Sequence, residues 1–430
     1  MSEEILKIRQ SLCLNSDGNW QPQEAIYVQK GLIIGLGPDQ SGISAAHEMD
    51  ANGCYVFPGL IDLSVSLREP GNSDKGTVAT ETAAAAAGGV TTLCCPPDTQ
   101  PVNDSHAVGK LIGELAQASG KCRVLPLGAM TKGLAGEQLS EYASLKRAGC
   151  IAVSNGYRPI KKLAVAKRCF EYAKTQNLTA FINPIEPSLY RGSMHEGEIS
   201  TTIGLQGVSS LAETIAVAQY IQLAKATGVR LHFSQLSCAD SVTQVRQAKQ
   251  EGLPITADVA LQNLIYTEAA VANFNSVFHT RPPLRTESDR LALLEGVKEG
   301  TIDAITSAHR PHEATAKLMP FGETEPGMSM VEHLLPMAWQ LHRHNELPFN
   351  IFIRAMTAGP SKVLGESKPS LMESATATLV VFDPEKQKSY CEKTIKSRGK
   401  NSPLLGKSLP GAVRLTLLDG KTTYSEPTET

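Results

Sequence analysis

The chain has 430 residues, of which 41% are hydrophobic and 20% are charged, and its formal net charge is −2. With a pI of about 6.6, it offers no general electrostatic attraction to nucleic acid or to an anionic membrane surface. No apolar run reaches 18 residues, and the first residues, MSEEILKIRQ, lack the basic and apolar regions of a signal peptide, so a cytoplasmic protein without a membrane span is expected.

The first segment, residues 1–53, lacks helical periodicity and contains strand patterns such as IYVQKGLIIGLGPD. No helix pattern follows the glycines at 31–37, so this stretch is predicted as a strand and turn and not as a phosphate-binding loop. Residues 366–430 have the same character, with the strand patterns ATLVVFDPE and VRLTLLDGKTTYS. The two terminal segments are predicted to pair into one small β-sandwich domain.

Between these segments, residues 54–365 alternate between short apolar runs and helical patterns. Helix candidates such as KKLAVAKRCFEYAKTQN carry apolar residues at i, i+3 and i+4. The apolar runs are continuous, as expected of parallel strands that are buried on both faces. The predicted strands are YVFPGLIDLSV (55–65), GVTTLCC (89–95), RVLPLGAM (123–130), CIAVS (150–154), LTAFIN (178–183), VRLHFSQLS (229–237), LPITADVAL (253–261) and TIDAITSA (301–308).

Eight strand–helix units predict an α/β fold in which residues 54–365 form a (β/α)8 TIM barrel. The alternative, a doubly wound open sheet, would require a glycine-rich phosphate loop after its first strand, and none is present. The expected architecture is therefore a barrel flanked by a β-sandwich domain built from residues 1–53 and 366–430.

The carboxyl ends of barrel strands carry the chemistry in this fold, and here they offer hydroxyls, neutral amides and an alanine. A catalytic zinc needs about three imidazole, thiolate or carboxylate ligands and one open position. His309 and His312 are the only imidazoles at these ends, and both belong to one loop. We therefore expect no metal and no cofactor. The residues at these positions include Ser64, Ser66, Asn155, Asn183, Gln235 and Ala308.

Several ordered motifs resemble those of bacterial class I dihydroorotases, in the amidohydrolase superfamily, along nearly the whole chain. The stretch PGLIDLSVSLREPG (58–71) resembles the family motif P-G-[LF]-[IV]-D-x-H-x-H-x-R-E-P-G, and PPDTQP (96–101) resembles M-P-N-T-N-P. Further stretches typical of the family are EGEISTTIGLQG (196–207), RPPLRTESDR (281–290), GTIDAITSAHRPH (300–312) and RGKNSPLLGKSLPG (398–411).

The departures from this family fall on its metal ligands. The resemblance implies histidine at four positions of this chain and aspartate at two. The histidine positions hold Ser64, Ser66, Asn183 and Gln235, and the aspartate positions hold Asn155 and Ala308. The aspartate replaced at 308 is a metal ligand and the proton shuttle of the active family members. One lost ligand is open to compensation, whereas six are not.

Four further positions correspond to the family's substrate pocket. Arg68 and His309 match residues that hold the substrate in active members, whereas Asp98 and Arg281 stand at asparagine positions. His309 is either a relict substrate contact or a structural histidine. We expect an Arg68–Asp98 ion pair to fill the old pocket, with a surviving anion site as the alternative, since a buried cation needs a partner.

Two other groups of potential ligands are interpreted as structural. His195, Glu196 and His232 could be imagined as a relocated metal cluster, but structural histidines are commoner. The nine cysteines are scattered, and the adjacent Cys94 and Cys95 match neither a CxxC redox pair nor a zinc knuckle. We interpret them as packing thiols in a reducing compartment.

Three functions remain compatible with these residues. The resemblance implies a catalytically inactive dihydroorotase homologue that acts as a non-catalytic structural subunit of aspartate carbamoyltransferase in pyrimidine biosynthesis. In that arrangement, dimers of the dihydroorotase-like chain join transcarbamoylase trimers into a dodecamer. The alternatives are a metal-free, repurposed enzyme that uses His309 or His312, and a small-molecule sensor at Arg68 and His309. We favour the structural subunit.

Overall fold

The structure is a computed structural model that describes residues 4–39 and 43–427. The strands are β1 (Leu6–Leu14), β2 (Trp20–Gln29), β3 (Leu32–Gly37), β4 (His47–Asp50), β5 (Tyr55–Pro58), β6 (Leu60–Asp62), β7 (Val90–Cys95), β8 (Arg123–Ala129), β9 (Ala152–Ser154), β10 (Thr179–Ile182), β11 (Met194–His195), β12 (Gly207–Val208), β13 (Leu231–Phe233), β14 (Ile255–Ala260), β15 (Ala304–Thr306), β16 (Leu379–Ser389), β17 (Ser408–Leu418) and β18 (Lys421–Ser425).

The α-helices are α1 (Val78–Ala87), α2 (His106–Ser119), α3 (Tyr142–Arg147), α4 (Leu163–Thr175), α5 (Glu198–Ile203), α6 (Leu211–Thr227), α7 (Ala239–Gln250), α8 (Leu261–Ile265), α9 (Glu287–Glu299), α10 (Leu334–Arg343), α11 (Phe349–Ala355) and α12 (Ala358–Leu364). Short 3-10 helices lie at Lys132–Leu134, Glu268–Val271, Ser276–Phe278, Ala314–Lys317, Phe321–Glu323 and Val331–His333. Within the two described ranges, no helix is long and apolar enough to cross a membrane.

Eight parallel strands form a barrel in the order β6, β7, β8, β9, β10, β13, β14, β15. Just past the ends of the first and last of these strands, Val65 pairs in parallel with His309. Two backbone hydrogen bonds complete the closure, from Ser66 N to His309 O at 2.9 Å and from His309 N to Ser64 O at 3.1 Å. The predicted (β/α)8 barrel is confirmed, and the backbone of His309 joins its last strand to its first.

Side chains alternate along the barrel strands, as strand geometry requires. In β7, Cys95 lies in the core between strands and helices, whereas Cys94 packs in a separate core with Leu63, Leu127 and Phe181. Both thiols are buried and free, and burial raises the pKa of Cys95 to about 12. These contacts agree with the interpretation of the two cysteines as packing residues.

The two terminal segments form one eight-stranded sheet, in the order β18, β17, β16, β5, β1, β2, β3, with β4 beside β1. Strand β16 pairs antiparallel with β5, which places Val380 opposite Phe57. A second core, containing Ile8, Val56 and Leu379, holds this sheet together. The predicted β domain built from both ends of the chain is therefore confirmed; residues 1–3, 40–42 and 428–430 lie outside the described residues.

The run 55–65, predicted as one strand, is divided at Gly59. Its first half, β5, belongs to the terminal sheet, and its second half, β6, is the first strand of the barrel. A Cβ atom at Gly59 would lie 2.3 Å from Thr91 Oγ1, so only glycine lets the chain pass so close to β7. Hydrophobicity does not reveal this break because both halves are buried.

We expect Gly59→Ala to lower the free energy of unfolding by about 1–3 kcal/mol, because the added methyl group overpacks a rigid strand contact. Urea unfolding measures this change. Gly113→Ala in α2 is the matched control: its Cβ would meet no atom within 4 Å. There we expect a gain of about 0.5–1 kcal/mol, since glycine is entropically costly inside a helix. Equal effects at the two sites would contradict the close approach at Gly59.

Candidate functional site

The carboxyl ends of the barrel strands bring most of the predicted positions together. Gln235 Nε2 donates a hydrogen bond to Ser64 Oγ at 3.0 Å, and the Tyr157 hydroxyl donates to Gln235 Oε1. The residues that the resemblance aligns with metal ligands and that line the resulting cavity are Ser64, Ser66, Asn183, Gln235 and Ala308. Hydroxyl and amide groups that a ligand would use are thus hydrogen-bonded to each other.

Asn155 is turned away from this cavity. Its Oδ1 accepts a hydrogen bond from Thr131 Oγ1 at 2.7 Å, and its Nδ2 donates to the Arg158 carbonyl at 2.7 Å. Both ends of the amide therefore stabilise loops after β8 and β9. The adjacent residues Ser154 and Gly156 line the cavity instead.

The cavity itself has a volume of only about 30 Å³. A neighbouring cavity beside Tyr190 and Arg281 has about 20 Å³. Such spaces hold one or two water molecules, whereas small-molecule sites usually enclose about 300–1,000 Å³. The barrel mouth is therefore filled by the protein's own side chains.

An ion pair between Asp98 and Arg310 covers the cavity, with Arg310 Nη2 3.0 Å from Asp98 Oδ2. The Arg310 guanidinium carbon also lies 5.4 Å from the centre of the Tyr157 ring, a cation–π contact. The expected Arg68–Asp98 ion pair is therefore wrong in its partner. Sequence reasoning assigned no partner to Arg310.

Arg68 uses its donors elsewhere. Its Nε donates to the Pro311 carbonyl at 2.9 Å, and its Nη2 donates to His312 Nε2 at 3.1 Å. Arg68 is buried. Its pKa is lowered to about 10, mainly by burial and to a smaller extent by the nearby positive charge of Arg310. For Asp98, burial alone would raise the pKa, but the charges of Arg310 and Arg68 hold it below its usual value.

His309 is completely buried and has both ring nitrogens occupied. Its Nδ1 accepts hydrogen bonds from the backbone N–H groups of Met330 and Val331, at 3.0 and 3.3 Å. An accepting Nδ1 carries no proton, so the proton lies on Nε2 and is donated to Glu81 Oε2 at 2.7 Å. No nitrogen is left for a substrate, and this geometry fits the structural alternative for His309.

Glu81 is the residue at this site that sequence reasoning missed. Besides His309, it accepts hydrogen bonds from Ser397 Oγ at 2.6 Å, Arg398 N at 3.0 Å and Thr80 Oγ1 at 2.8 Å. Burial alone would raise the pKa of Glu81, but its hydrogen bonds lower it, and the one with His309 has the largest lowering effect. The available signal was an isolated carboxylate within the alanine-rich stretch TETAAAAAGG.

The other candidate ligands are not brought together. His195 Nδ1 accepts a hydrogen bond from Arg285 Nη1 at 3.1 Å, whereas His232 Nε2 lies 2.8 Å from Asp258 Oδ2. The Arg281 guanidinium carbon lies 4.9 Å from the centre of the Tyr190 ring. In the part of the chain that the structure describes, no three His, Cys, Asp or Glu side chains are arranged to hold a metal ion.

Three residues at the barrel mouth have left-handed backbone conformations, which are unusual for side chains other than glycine. The φ angles are 67° at Arg68, 60° at Gln235 and 46° at Ala308. Such conformations persist only where the surrounding structure imposes them, and they cluster at functional sites. The backbone of the mouth is thus strained at these three residues.

The architecture is a parallel (β/α)8 barrel with a β domain contributed by both chain ends. The solved structure of an L-hydantoinase (dihydropyrimidinase) from Arthrobacter aurescens has the same fold, with a TM-score of 0.86 at 21% identity; the match covers 98% of this chain and 96% of that one.

The chain belongs to the dihydroorotase-like family. A family model described as Dihydro-orotase-like matches residues 53–241. The chain is 44% identical over 400 residues to a dihydroorotase-like protein of Pseudomonas aeruginosa, covering 93% of this chain and 94% of that protein. It is also 38% identical over 403 residues to a dihydroorotase of Caldanaerobacter subterraneus, covering 93% of each.

Proposed function

We propose that this chain is a catalytically inactive dihydroorotase homologue, which serves in the cytoplasm as a non-catalytic structural subunit of aspartate carbamoyltransferase in pyrimidine biosynthesis. The observation that carries the proposal is the filled barrel mouth. Ser64, Gln235 and Tyr157 are hydrogen-bonded to one another, and a cavity of about 30 Å³ remains. A cyclic substrate has no room there.

The residues present do not fit a zinc ion. Hydrolysis of a cyclic amide in this family uses zinc, which lowers the pKa of water from about 15.7 to about 7. Hydroxyl and amide groups are poor zinc ligands, and here they satisfy one another. Ala308 also supplies no proton donor or acceptor. The free energy that corresponds to this shift in the pKa of water would be lost without zinc. Even half of that free energy corresponds to a rate about 10⁴-fold lower.

The two alternatives find little support in the site. A repurposed hydrolase would need a free base, but both nitrogens of His309 are engaged. Burial, together with the charges of Arg68 and Arg310, lowers the pKa of His312 to about 2. A sensor would need space for its ligand, and the cavity has room for about one or two waters.

Retention of the framework supports a role that depends on shape. The barrel is closed by the His309 backbone, and the Glu81 network joins α1 to the segment after β16. The partner is proposed from the resemblance to dihydroorotase-like chains that assemble with aspartate carbamoyltransferase. The relatives from two Pseudomonas species are themselves named dihydroorotase-like proteins. We propose homodimers of this chain within a dodecamer-type assembly.

Co-expression with the aspartate carbamoyltransferase of the same organism tests this function. Native mass and transcarbamoylase activity are measured in the same fractions, with and without this chain. We expect one large complex that contains both chains, and lower activity when this chain is omitted. Two separate species, with the transcarbamoylase fully active alone, would overturn the proposal.

Added zinc is expected to have no effect on this chain. After incubation with zinc and desalting, metal analysis should find well below one zinc per chain, and dihydroorotate turnover should stay at the buffer rate. The dihydroorotase of Caldanaerobacter subterraneus, 38% identical to this chain, is a suitable positive control. Stoichiometric zinc together with turnover would contradict the loss of catalysis.

A further inference from the structure

The connection between β16 and β17 is strongly basic. Residues 390–407 contain five lysine or arginine residues and a single acidic residue, Glu392, in a chain whose net charge is −2. We call residues 390–407 the basic loop. Backbone hydrogen bonds between Tyr390 and the 406–407 stretch fasten its two ends together. The positive charges are therefore concentrated on one compact element.

Buried acceptors hold the backbone of the basic loop in place. Glu332 Oε2 accepts hydrogen bonds from Lys396 N at 2.8 Å and Ser397 N at 2.9 Å. Glu81 accepts from Arg398 N, and Asn401 Nδ2 donates to the Arg310 and Gly327 carbonyls at 3.0 Å each. A loop fixed in this way loses little conformational entropy when it binds a partner.

Three cations in the basic loop or in the adjoining end of β16 already have local partners. Lys386 pairs with Glu426 at 2.9 Å, and the Lys388 ammonium lies 5.4 Å from the centre of the Tyr390 ring. Lys400 Nζ donates to the carbonyls of Ile395 and Ser397.

Four cations of the basic loop are exposed, and within the described ranges no carboxylate forms an ion pair with any of them. They are Lys393, Lys396, Arg398 and Lys407. Some surface cations elsewhere on the molecule do have an acidic partner, as in the Lys225–Glu251 and Lys167–Glu171 pairs.

We propose that the four free cations of the basic loop bind an acidic surface of the transcarbamoylase chain; this inference rests on the proposed function and adds a contact surface to it. Complementary charge of this kind accelerates and orients protein association. A protein is favoured over a nucleic acid because the loop's one aromatic residue, Tyr390, is buried and offers no ring for base stacking. An exposed Leu405, at 37%, gives the surface an apolar contact.

The test compares three forms of the co-expressed complex: wild type, the quadruple variant K393E/K396E/R398E/K407E, and the control K121E/K132E/K161E/K162E. The control makes the same change of charge at four exposed lysines outside the loop, which also lack an acidic partner in the described part of the chain. Circular dichroism and thermal unfolding establish that each variant folds. The affinity of the purified chains is measured by sedimentation at about 50 and 500 mM salt.

We expect the loop variant to bind at least about tenfold more weakly than wild type and to lose most of the salt dependence, and the control to do neither. Equal affinity of wild type and the loop variant would overturn this inference while leaving the proposed function intact. So would loop-dependent binding of wild type to a DNA duplex or to anionic vesicles without an effect on co-assembly. A wild-type chain that does not co-assemble overturns both proposals.

Discussion

Replacing Glu81 by alanine is expected to lower the free energy of unfolding by about 3–5 kcal/mol. Glu81 is completely buried and accepts hydrogen bonds from His309, Ser397 and the Arg398 backbone. Its loss leaves these donors without an acceptor in a site that water does not reach, and each costs about 1–3 kcal/mol. It also leaves a cavity between α1 and the basic loop.

Urea unfolding measures this loss, and two variants calibrate it. Glu81→Gln keeps the volume and one acceptor oxygen, so we expect a smaller loss of about 1–3 kcal/mol. Glu114→Ala removes an exposed carboxylate from α2, 3.6 Å from Lys110, and should cost less than about 0.5 kcal/mol. If Glu81→Ala were as mild as Glu114→Ala, the network would not hold the barrel mouth and the loop together.

Stability is expected to fall steeply below about pH 6.5 because three buried histidines stay neutral in the folded state. Burial is the main cause in each case, and it lowers the pKa to about 4 for His279, about 2 for His312 and about 3 for His333. A histidine whose folded pKa is depressed takes up a proton on unfolding. Its stabilising contribution is therefore complete above the unfolded pKa of about 6.5 and is lost as the pH falls below it.

Each of these histidines contributes a slope of about 1.4 kcal/mol per pH unit, so the three together give about 4 kcal/mol per unit between about pH 6 and 4. Asp62 and Glu332 oppose this trend, since burial raises the pKa of both carboxyls. The folded state therefore takes up their protons before the unfolded state does, which stabilises it as the pH falls. Glu81 and Asp98, whose pKa values are lowered in the folded state, act in the same direction as the histidines.

Urea unfolding at pH 7, 6 and 5 measures the slope, and His312→Gln should reduce it by about 1.4 kcal/mol per pH unit because one proton-linked group is removed. His106 is exposed, so His106→Gln serves as the control and should leave the slope unchanged. An unaltered slope in His312→Gln would show that this histidine does not remain neutral in the folded chain.

The sequence alone was sufficient to predict the barrel and the terminal β domain, because both follow from local patterns of apolar and polar residues. Continuous apolar runs become parallel strands buried on both faces, and helical periodicity places their partners. It also predicted that the strand ends hold Ser64, Gln235 and Ala308 instead of metal-binding groups, since residue identity at a strand end follows directly from the strand register. The functional reading that follows from these substitutions remains a proposal.

Only the tertiary structure decided which side chains meet. Glu81 and His309 form a hydrogen bond although they are 228 positions apart in the sequence. Asp98 pairs with Arg310 instead of Arg68, because Arg68 is directed towards the Pro311 carbonyl. The division of the run 55–65 at Gly59 likewise depends on a contact with Thr91 in a neighbouring strand. Periodicity indicates which face of a helix or strand is buried. It carries no information about which distant residue a side chain contacts, or about the space left between side chains. For that reason the filled barrel mouth emerges only from the folded chain.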